Sequence, residues 1–164
     1  MAVERDGSGA LALDDERWRE LRGVCGGDIA ALLRTLADAP DEHMIDALWT
    51  ELCHQGTICI ASYAALPHLV ANASCTGPLA ALAASIELAR DGDAPSMPDW
   101  ACASYDAALQ GLAQRAAQDL AVTRERHQTR VALAIVAIDR GLRLQAHALL
   151  DLTDDELAEM LGTS

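Results

Sequence analysis

Apolar residues recur along this chain at the three- and four-residue spacing of amphipathic helices, and this periodicity constrains the fold more than any other feature. The clearest stripes run through residues 44–52 and 79–86. Residues at those spacings lie on one face of a helix. No long segment alternates with a period of two, as a half-buried strand would. The pattern therefore predicts an all-α fold.

The composition agrees with this prediction. Hydrophobic residues make up 51% of the chain, which is typical of a sequence that folds rather than one that stays disordered. Aromatic residues contribute only 3% and Phe is absent, so the core must consist mainly of Ala, Leu, Ile and Val. Because Ala and Leu lose little side-chain entropy in a helix, such a core favours helices.

Helix-start and helix-stop residues divide the chain into about eight or nine helices. The expected helices span residues 14–22, 28–36, 40–52, 57–72, 78–89, 100–123, 130–139, 142–150 and 154–162. Pro40 and Pro78 suit a first helical position, Gly141 a C-cap, and Thr153 with Glu156 a capping box. Residues 130–139 are short and β-branched enough for a buried strand, but their helical surroundings favour a helix. We expect a disordered tail over residues 1–10 and a single domain over 11–164, built of stacked antiparallel helix pairs.

The net charge of the chain is −13, and every basic residue apart from histidine is arginine. Nucleic acid is not expected as a direct ligand, because phosphate binding requires a basic surface. A strongly acidic surface instead favours rapid association with a basic protein. We therefore expect the partner to be another protein.

The five cysteines do not have the spacing of a disulfide framework, and their number is odd. The N-terminal residues contain no apolar signal core, and no stretch approaches the roughly 18 apolar residues of a membrane span. We therefore expect reduced thiols in a cytoplasmic protein with no membrane association.

The segment HQGT, residues 54–57, interrupts the helical pattern and has two interpretations. In the structural one, Gly56 adopts the left-handed conformation that ends a helix and Thr57 caps the next. His54 then lies in the last turn, near the negative end of the helix dipole. Pro67 falls inside the following helix and bends its axis. In the catalytic interpretation, Thr57 or a cysteine would be a nucleophile and His54 its base.

A metal site or an enzyme centre is the least favoured interpretation of this region. The side chains that would supply it are Cys53, His54, Cys59 and His68. They contain no Cys-x-x-Cys pair, and no nucleophile elbow or oxyanion glycines accompany them. We therefore expect no metal, no cofactor and no catalytic residue.

The segment LWTELCHQGTICIASYAALPHL, residues 48–69, resembles a motif of small bacterial HEAT-like repeat proteins, roughly LWxxLxHQGTVYxASYAAxPHL. It departs from the motif at Cys59, where a Tyr is expected, and mildly at Ile58, where Val is expected. The resemblance implies a short α-solenoid without a catalytic centre. Some proteins of this type look like immunity proteins that accompany secreted bacterial toxins.

Acidic residues group at several helix starts and in the loop that begins near residue 91. As a purely structural feature, they would complement helix dipoles and keep the surface solvated. However, the four-residue spacings Glu42/Asp46, Asp151/Asp155 and Asp155/Glu159 would place like charges together, which costs a few tenths of a kcal/mol each in a helix. A surface kept acidic for a basic partner would tolerate that cost, and neutral drift in an acidic proteome would produce the same pairs. The candidate partner-binding residues are Glu42, Asp46, Asp91, Asp93, Asp99, Trp100, Asp154, Asp155 and Glu159.

Two further features have competing interpretations. Trp100 at a helix start is expected to fold onto the core rather than to serve as an exposed binding anchor. The basic cluster Arg124, Arg126 and Arg130 is expected to pair with acidic helices of the same molecule, with an anion site as the alternative.

The function expected from the sequence is that of a non-catalytic protein-binding module, and specifically an immunity protein that neutralises a basic toxin by direct binding. A general adaptor or scaffold of the HEAT-like type is the alternative. A small metal protein or enzyme that uses Cys53, His54, Cys59 and His68 is a more distant third.

Overall fold

A computed structural model describes residues 9–38, 40–74 and 76–162 of the chain. These residues form one short 3-10 helix, Glu16–Arg19, and eight α-helices. The α-helices are α1 Ile29–Asp38, α2 Glu42–Leu52, α3 Ile60–Asn72, α4 Pro78–Ala89, α5 Asp99–Asp119, α6 Arg126–Asp139, α7 Arg143–Asp151 and α8 Asp154–Met160. Within the described residues there is no β-strand, only two isolated bridges. The prediction of an all-α fold is confirmed.

The helices stack in a repeat-like order. Helix α1 packs on α2 and α3, α3 packs on α4 and α5, and α6 packs on α4, α5 and α7. A continuous core runs from Leu11 to Ile135, and a small cluster around Ala134 and Ala146 joins α6 to α7. Tyr63 and Tyr105 are the largest fully buried side chains, and the rest of the core is mainly Ala, Leu and Ile.

Several predicted helix ends are confirmed in atomic detail. Gly77 is the N-cap of α4 and Pro78 follows it at the first helical position. Gly141 has a φ of 73°, and the N–H of Leu142 donates to the carbonyl of Ala137 at 2.8 Å, as in a Schellman motif. Thr153 and Glu156 form the predicted capping box of α8.

Other predicted boundaries are wrong by a few residues. Pro40 lies before α2 rather than at its first position, because Asp41 is the N-cap and accepts a hydrogen bond from the N–H of Met44 at 2.7 Å. The predicted helix over residues 14–22 is only the 3-10 turn Glu16–Arg19, and α5 ends at Asp119 instead of residue 123. Residues 130–139 belong to α6, which begins earlier, at Arg126. The expected tail, residues 1–10, lies outside the described residues except for its last two.

The loop that carries the Cys25-Gly26-Gly27 sequence wraps around the side chain of Glu51. The Glu51 carboxylate accepts hydrogen bonds from the N–H groups of Cys25, at 3.2 Å, and Gly27, at 2.9 Å. A Cβ at Gly27 would lie 2.6 Å from the carboxylate carbon, so any other residue there would displace the Glu51 carboxylate from this position. The sequence predicted a helix stop here, and the structure adds a specific contact between this loop and α2.

The corner between α7 and α8 is held by Arg130 of α6. Its Nε atom donates to the carbonyl of Leu149 at 3.0 Å, and its Nη2 atom donates to the carbonyls of Ala148 and Leu152. The same guanidinium forms an ion pair with Asp154, at the start of α8. One arginine thus satisfies carbonyls that the end of α7 leaves without helical partners.

Candidate functional site

The HQGT segment is a tight turn between two helices. Helix α2 ends at Leu52, and the N–H of Thr57 donates to the carbonyl of His54 at 2.9 Å. Gln55 and Gly56 have φ values of 50° and 78°, the left-handed pair of a type I′ turn. Gly56 therefore has the predicted left-handed conformation. His54 and Thr57 do not have their predicted helical positions, because α2 ends before His54 and α3 begins only at Ile60.

The N-cap of α3 is Cys59 rather than Thr57, and Ser62, at the third helical position, completes a capping box with it. The Oγ atom of Ser62 accepts from the N–H of Cys59 at 3.0 Å and donates to the carbonyl of Leu52 at 2.7 Å. Both interactions are shielded from water, since Ser62 is fully buried. These bonds join the end of α2 to the start of α3, so they give the turn a structural role. Pro67 lies inside α3, as predicted.

The four side chains proposed for a metal site are not brought together. The ring of His68 packs near Trp18, with centroids 6.1 Å apart, and its Nε2 atom lies 2.8 Å from the carbonyl oxygen of Leu11. His54 is exposed on the turn, whereas Cys53 is buried below it. Among the described residues, no group of three or more His, Cys, Asp or Glu side chains could hold a metal ion.

A pocket of about 310 Å³ below the turn contains a cysteine, a histidine and an aspartate. Its lining includes Cys53, His147 and Asp151, and His147 Nδ1 lies 3.0 Å from Asp151 Oδ2. However, burial raises the pKa of the Cys53 thiol, whereas a nucleophilic cysteine requires a lowered pKa. No hydrogen bond connects Cys53 with His147 in the described part of the chain. This arrangement does not favour an activated nucleophile.

Six of the candidate acidic residues are exposed carboxylates without an ion pair among the described residues. Glu42 and Asp46 lie on the first turns of α2, Asp93 lies in the loop between α4 and α5, and Asp99 is the first residue of α5. Asp155 and Glu159 lie on α8, one turn apart. The expected like-charge spacing of Asp151 and Asp155 does not fall within one helix, because α7 ends at Asp151 and α8 begins at Asp154.

Two other candidates are engaged within the molecule. Asp91 forms an ion pair with Arg143 of α7, and Asp154 forms ion pairs with Arg126 and Arg130. The predicted intramolecular role of the basic cluster therefore holds for those two arginines. Arg124 donates instead to the backbone carbonyls of Ala121 and Thr123.

Trp100 does not fold into the core. Its side chain, beside Asp99 at the start of α5, is 39% exposed, and the Arg17 guanidinium lies 4.9 Å from its ring centroid. The expectation that the core would absorb this ring is wrong. The indole and the arginine stack as a cation–π pair at the surface. Trp100 is thus placed where a partner could contact it.

A buried polar network was missed by the sequence analysis. Its centre is Glu87 of α4, which is 8% exposed. One carboxylate oxygen accepts from the Tyr105 hydroxyl and from Arg90, each at 2.8 Å, and the other accepts from Arg143 at 2.9 Å. Burial, together with the Glu87 charge, raises the pKa of Tyr105. The sequence feature that could have indicated this network is the single acidic residue within the mainly apolar sequence of α4.

This network fixes the loop between α4 and α5. Tyr63 packs edge-on against Tyr105, with centroids 5.7 Å apart, and its hydroxyl donates to the carbonyl of Pro95 at 2.7 Å. Arg143 also binds the backbone carbonyl of Glu87, as well as the Asp91 carboxylate. The loop was predicted only as an acidic surface, and the structure shows that side chains of three helices hold it in place.

Comparisons with known proteins give no relative from which a function could be inferred: no protein-family model, curated protein or solved structure matches the chain. The resemblance of residues 48–69 to HEAT-like repeat proteins therefore stays a prediction. Within the described residues, no helix combines the length and the hydrophobicity that crossing a bilayer would require.

Proposed function

We propose that this chain is a non-catalytic protein-binding module whose partner is a basic protein. The observation that carries the proposal is the set of exposed carboxylates on α2, on the loop after α4, at the start of α5 and on α8 that form no ion pair with any described arginine. Such a surface raises the association rate with a basic protein and repels nucleic acid.

The arrangement of the arginines supports the proposal, because most of them are used inside the molecule. Those that form ion pairs are Arg17, Arg90, Arg126, Arg130, Arg140 and Arg143. Arg34 and Arg115 donate to the backbone carbonyls of Leu13 and Val70. Few basic groups are left to neutralise the remaining carboxylates, which keep the negative field of the surface available to a partner.

The specific form that we propose is an immunity protein that acts in the cytoplasm on a basic toxin domain, as the resemblance of residues 48–69 implies. Exposed carboxylates would occupy the positions where a nuclease-like toxin holds the phosphates of its substrate. Inhibition would then require no chemistry from this chain. A general adaptor of the HEAT-like type is the alternative, and it would bind its partner without suppressing any toxic activity.

The proposal is tested by isolating the partner from native cells and measuring its association rate at two salt concentrations. Association should slow as salt rises, because the Debye length is only about 8 Å at physiological ionic strength. Three lysine variants locate the surface: Glu42 with Asp46, Asp93 alone, and Asp155 with Glu159. Asp91 is left unchanged, since reversing its charge would disturb the Glu87 network.

The two double variants change the net charge equally, so a difference between them reports location rather than total charge. We expect at least one variant to slow association and to reduce its salt dependence. If all three variants bind as the native protein does, at low and high salt alike, the electrostatic mechanism is wrong. Suppression of the partner's toxicity distinguishes the immunity protein from the adaptor.

A further inference from the structure

A surface cleft of about 370 Å³ lies between α4, α5 and α6, and none of the six free candidate carboxylates lines it. It opens because α4 and α5 both pack on α6 and leave a gap beside it. A second cleft of about 440 Å³ continues between α5 and α6. The two share Gln110, Ala113 and Asp139, so together they form one groove, which we call the α5–α6 groove.

The first cleft combines apolar walls with negative charge. Leu109, Ile135 and Ile138 are among its wall residues. Glu87, Asp106 and Asp139 are also among its lining residues, and none of its lining residues is basic. A long basic side chain has the complementary composition, since it carries an alkyl stem and a cationic end.

The carboxylates of this cleft differ in their availability. Glu87 is occupied by Arg90, Arg143 and the Tyr105 hydroxyl. Asp106 forms no ion pair with the described residues. Asp139 is paired with Arg140 at 3.4 Å, but both side chains are exposed, so this pair is weak and Asp139 can exchange its partner. Asp106 is therefore the free carboxylate that would meet an incoming cation, and Asp139 is the second.

The remainder of the groove is more polar, and its lining includes Arg140 at the end of α6 as well as a row of glutamines on α5. Gln110, Gln114 and Gln118 follow one another at four-residue intervals on α5, and all three are exposed. Residues at this spacing form one row along a helix. Each amide side chain can both donate and accept hydrogen bonds, as a partner's peptide groups require.

We propose that the α5–α6 groove binds a segment of a basic partner and that an arginine or lysine of this segment inserts between Asp106 and Asp139. The occupant is argued from charge and shape: carboxylates above apolar walls match a cation on an alkyl stem, and the glutamine row matches the flanking backbone. This inference rests on the proposed function, which it extends from a general acidic surface to a specific site.

The site can be tested without the natural partner. The probe is a blocked pentapeptide with a central arginine, titrated into isotopically labelled protein and followed by the chemical shifts of the backbone amides. Its control is the same peptide with citrulline, which has nearly the same shape but no charge. We expect saturable shifts that are confined to α4, α5 and α6 with the arginine peptide, and no comparable shifts with the citrulline peptide.

Variants then assign the shifts to the cleft. The combined change Asp106→Asn and Asp139→Asn should weaken binding of the arginine peptide about fivefold, as expected for the loss of two partly exposed charge pairs. The matched control, Asp155→Asn with Glu159→Gln, removes the same charge from α8 and should leave the affinity unchanged. Equal losses in both variants, or shifts spread evenly over α2 and α8, would overturn the proposal.

The result is separable from the test of the proposed function. If a basic partner is found and binds the Asp106/Asp139 variant as well as the native protein, the protein-binding function stands and the groove assignment is wrong. If the arginine peptide binds the groove but no basic protein associates with the chain, the groove assignment stands and the proposed function is wrong.

Discussion

At the scale of single residues, the turn between α2 and α3 makes the most specific conformational demand. Gln55 and Gly56 both have positive φ, a combination that Asn-Gly satisfies best in type I′ turns. No atom lies within 4 Å of a Cβ built on Gly56, so a side chain there would be strained by the backbone and not by a clash. The effect of a substitution at Gly56 on the free energy of unfolding therefore comes from the backbone conformation and not from steric contacts.

We predict that Gly56→Ala lowers the free energy of unfolding by about 1 kcal/mol, because alanine is disfavoured at positive φ. Gln55→Asn should raise it by about 0.5 kcal/mol, because asparagine tolerates that conformation. Denaturant unfolding of both variants measures these changes. Gly56→Asn is the matched control and should cost less than Gly56→Ala. A Gly56→Ala variant as stable as the native protein would contradict this account of the turn.

Glu87 is a buried carboxylate at the centre of a network of ion pairs and hydrogen bonds. It accepts three side-chain hydrogen bonds in a site that water hardly reaches. We predict that Glu87→Gln lowers the free energy of unfolding by about 3 kcal/mol, since it leaves two arginines without their shared carboxylate.

The control for Glu87→Gln is Asp93→Asn, which removes one nearby charge that forms no ion pair with the described residues. It should change the stability by no more than about 0.5 kcal/mol. Chemical unfolding of the two variants provides the comparison. If both variants lose little stability, the network contributes less than its geometry implies.

At the scale of elements, α8 depends on its contacts with the rest of the molecule more than on its own helix propensity. It has seven residues and none of them is buried. Isolated helices of this length are marginal in water. The contacts that hold α8 include its capping box and the ion pairs of Asp154 with Arg126 and Arg130.

We predict that Arg130→Met lowers the free energy of unfolding by about 2 kcal/mol and increases hydrogen exchange in α7 and α8. The reason is that it leaves carbonyls at the end of α7 without a side-chain donor and removes the less exposed of the two arginines that pair with Asp154. Arg126→Met is the control, because the Arg126 side chain is 78% exposed, against 17% for Arg130. The exposed ion pair between Arg126 and Asp154 should contribute under about 1 kcal/mol to the free energy of unfolding. Equal exchange rates in the two variants would show that Arg130 does not hold this corner.

At the scale of the whole molecule, the net charge of −13 opposes the compact state, because like charges repel across the surface. Moderate salt screens this repulsion, and it also weakens exposed ion pairs. Since carboxylates far outnumber arginines, we expect the relief of repulsion to be the larger effect.

We predict that raising sodium chloride from about 20 to 200 mM stabilises the protein by about 1 kcal/mol, which corresponds to a rise of about 3 °C in Tm for a domain of this size. Calorimetry measures this shift. The variant Asp155→Asn with Glu159→Gln should show a smaller rise, because it carries less charge. A Tm that falls with salt would mean that the ion pairs outweigh the repulsion.

The helices could be predicted from the sequence because their determinants are local. The apolar period, the Gly77-Pro78 start, the Gly141 stop and the Thr153 capping box each act within a few residues, and the structure confirms each of them. The errors were also local. Capping competes among neighbouring polar residues, so Asp41 rather than Pro40 set the start of α2, and Ser62 rather than Thr57 joined α2 to α3.

What only the tertiary structure decided are the contacts between residues far apart in sequence. The sequence by itself determined an all-α chain with a strong negative charge. It did not show that Glu87 would bind Arg90, Arg143 and Tyr105. Nor did it show that Asp91 would form an ion pair while Asp93 forms none with the described residues. The α5–α6 groove likewise exists only after α4 and α5 have packed on α6. The physical reason is that helix propensity and capping act within a few residues, whereas ion pairing and cleft formation depend on how helices distant in the chain are placed.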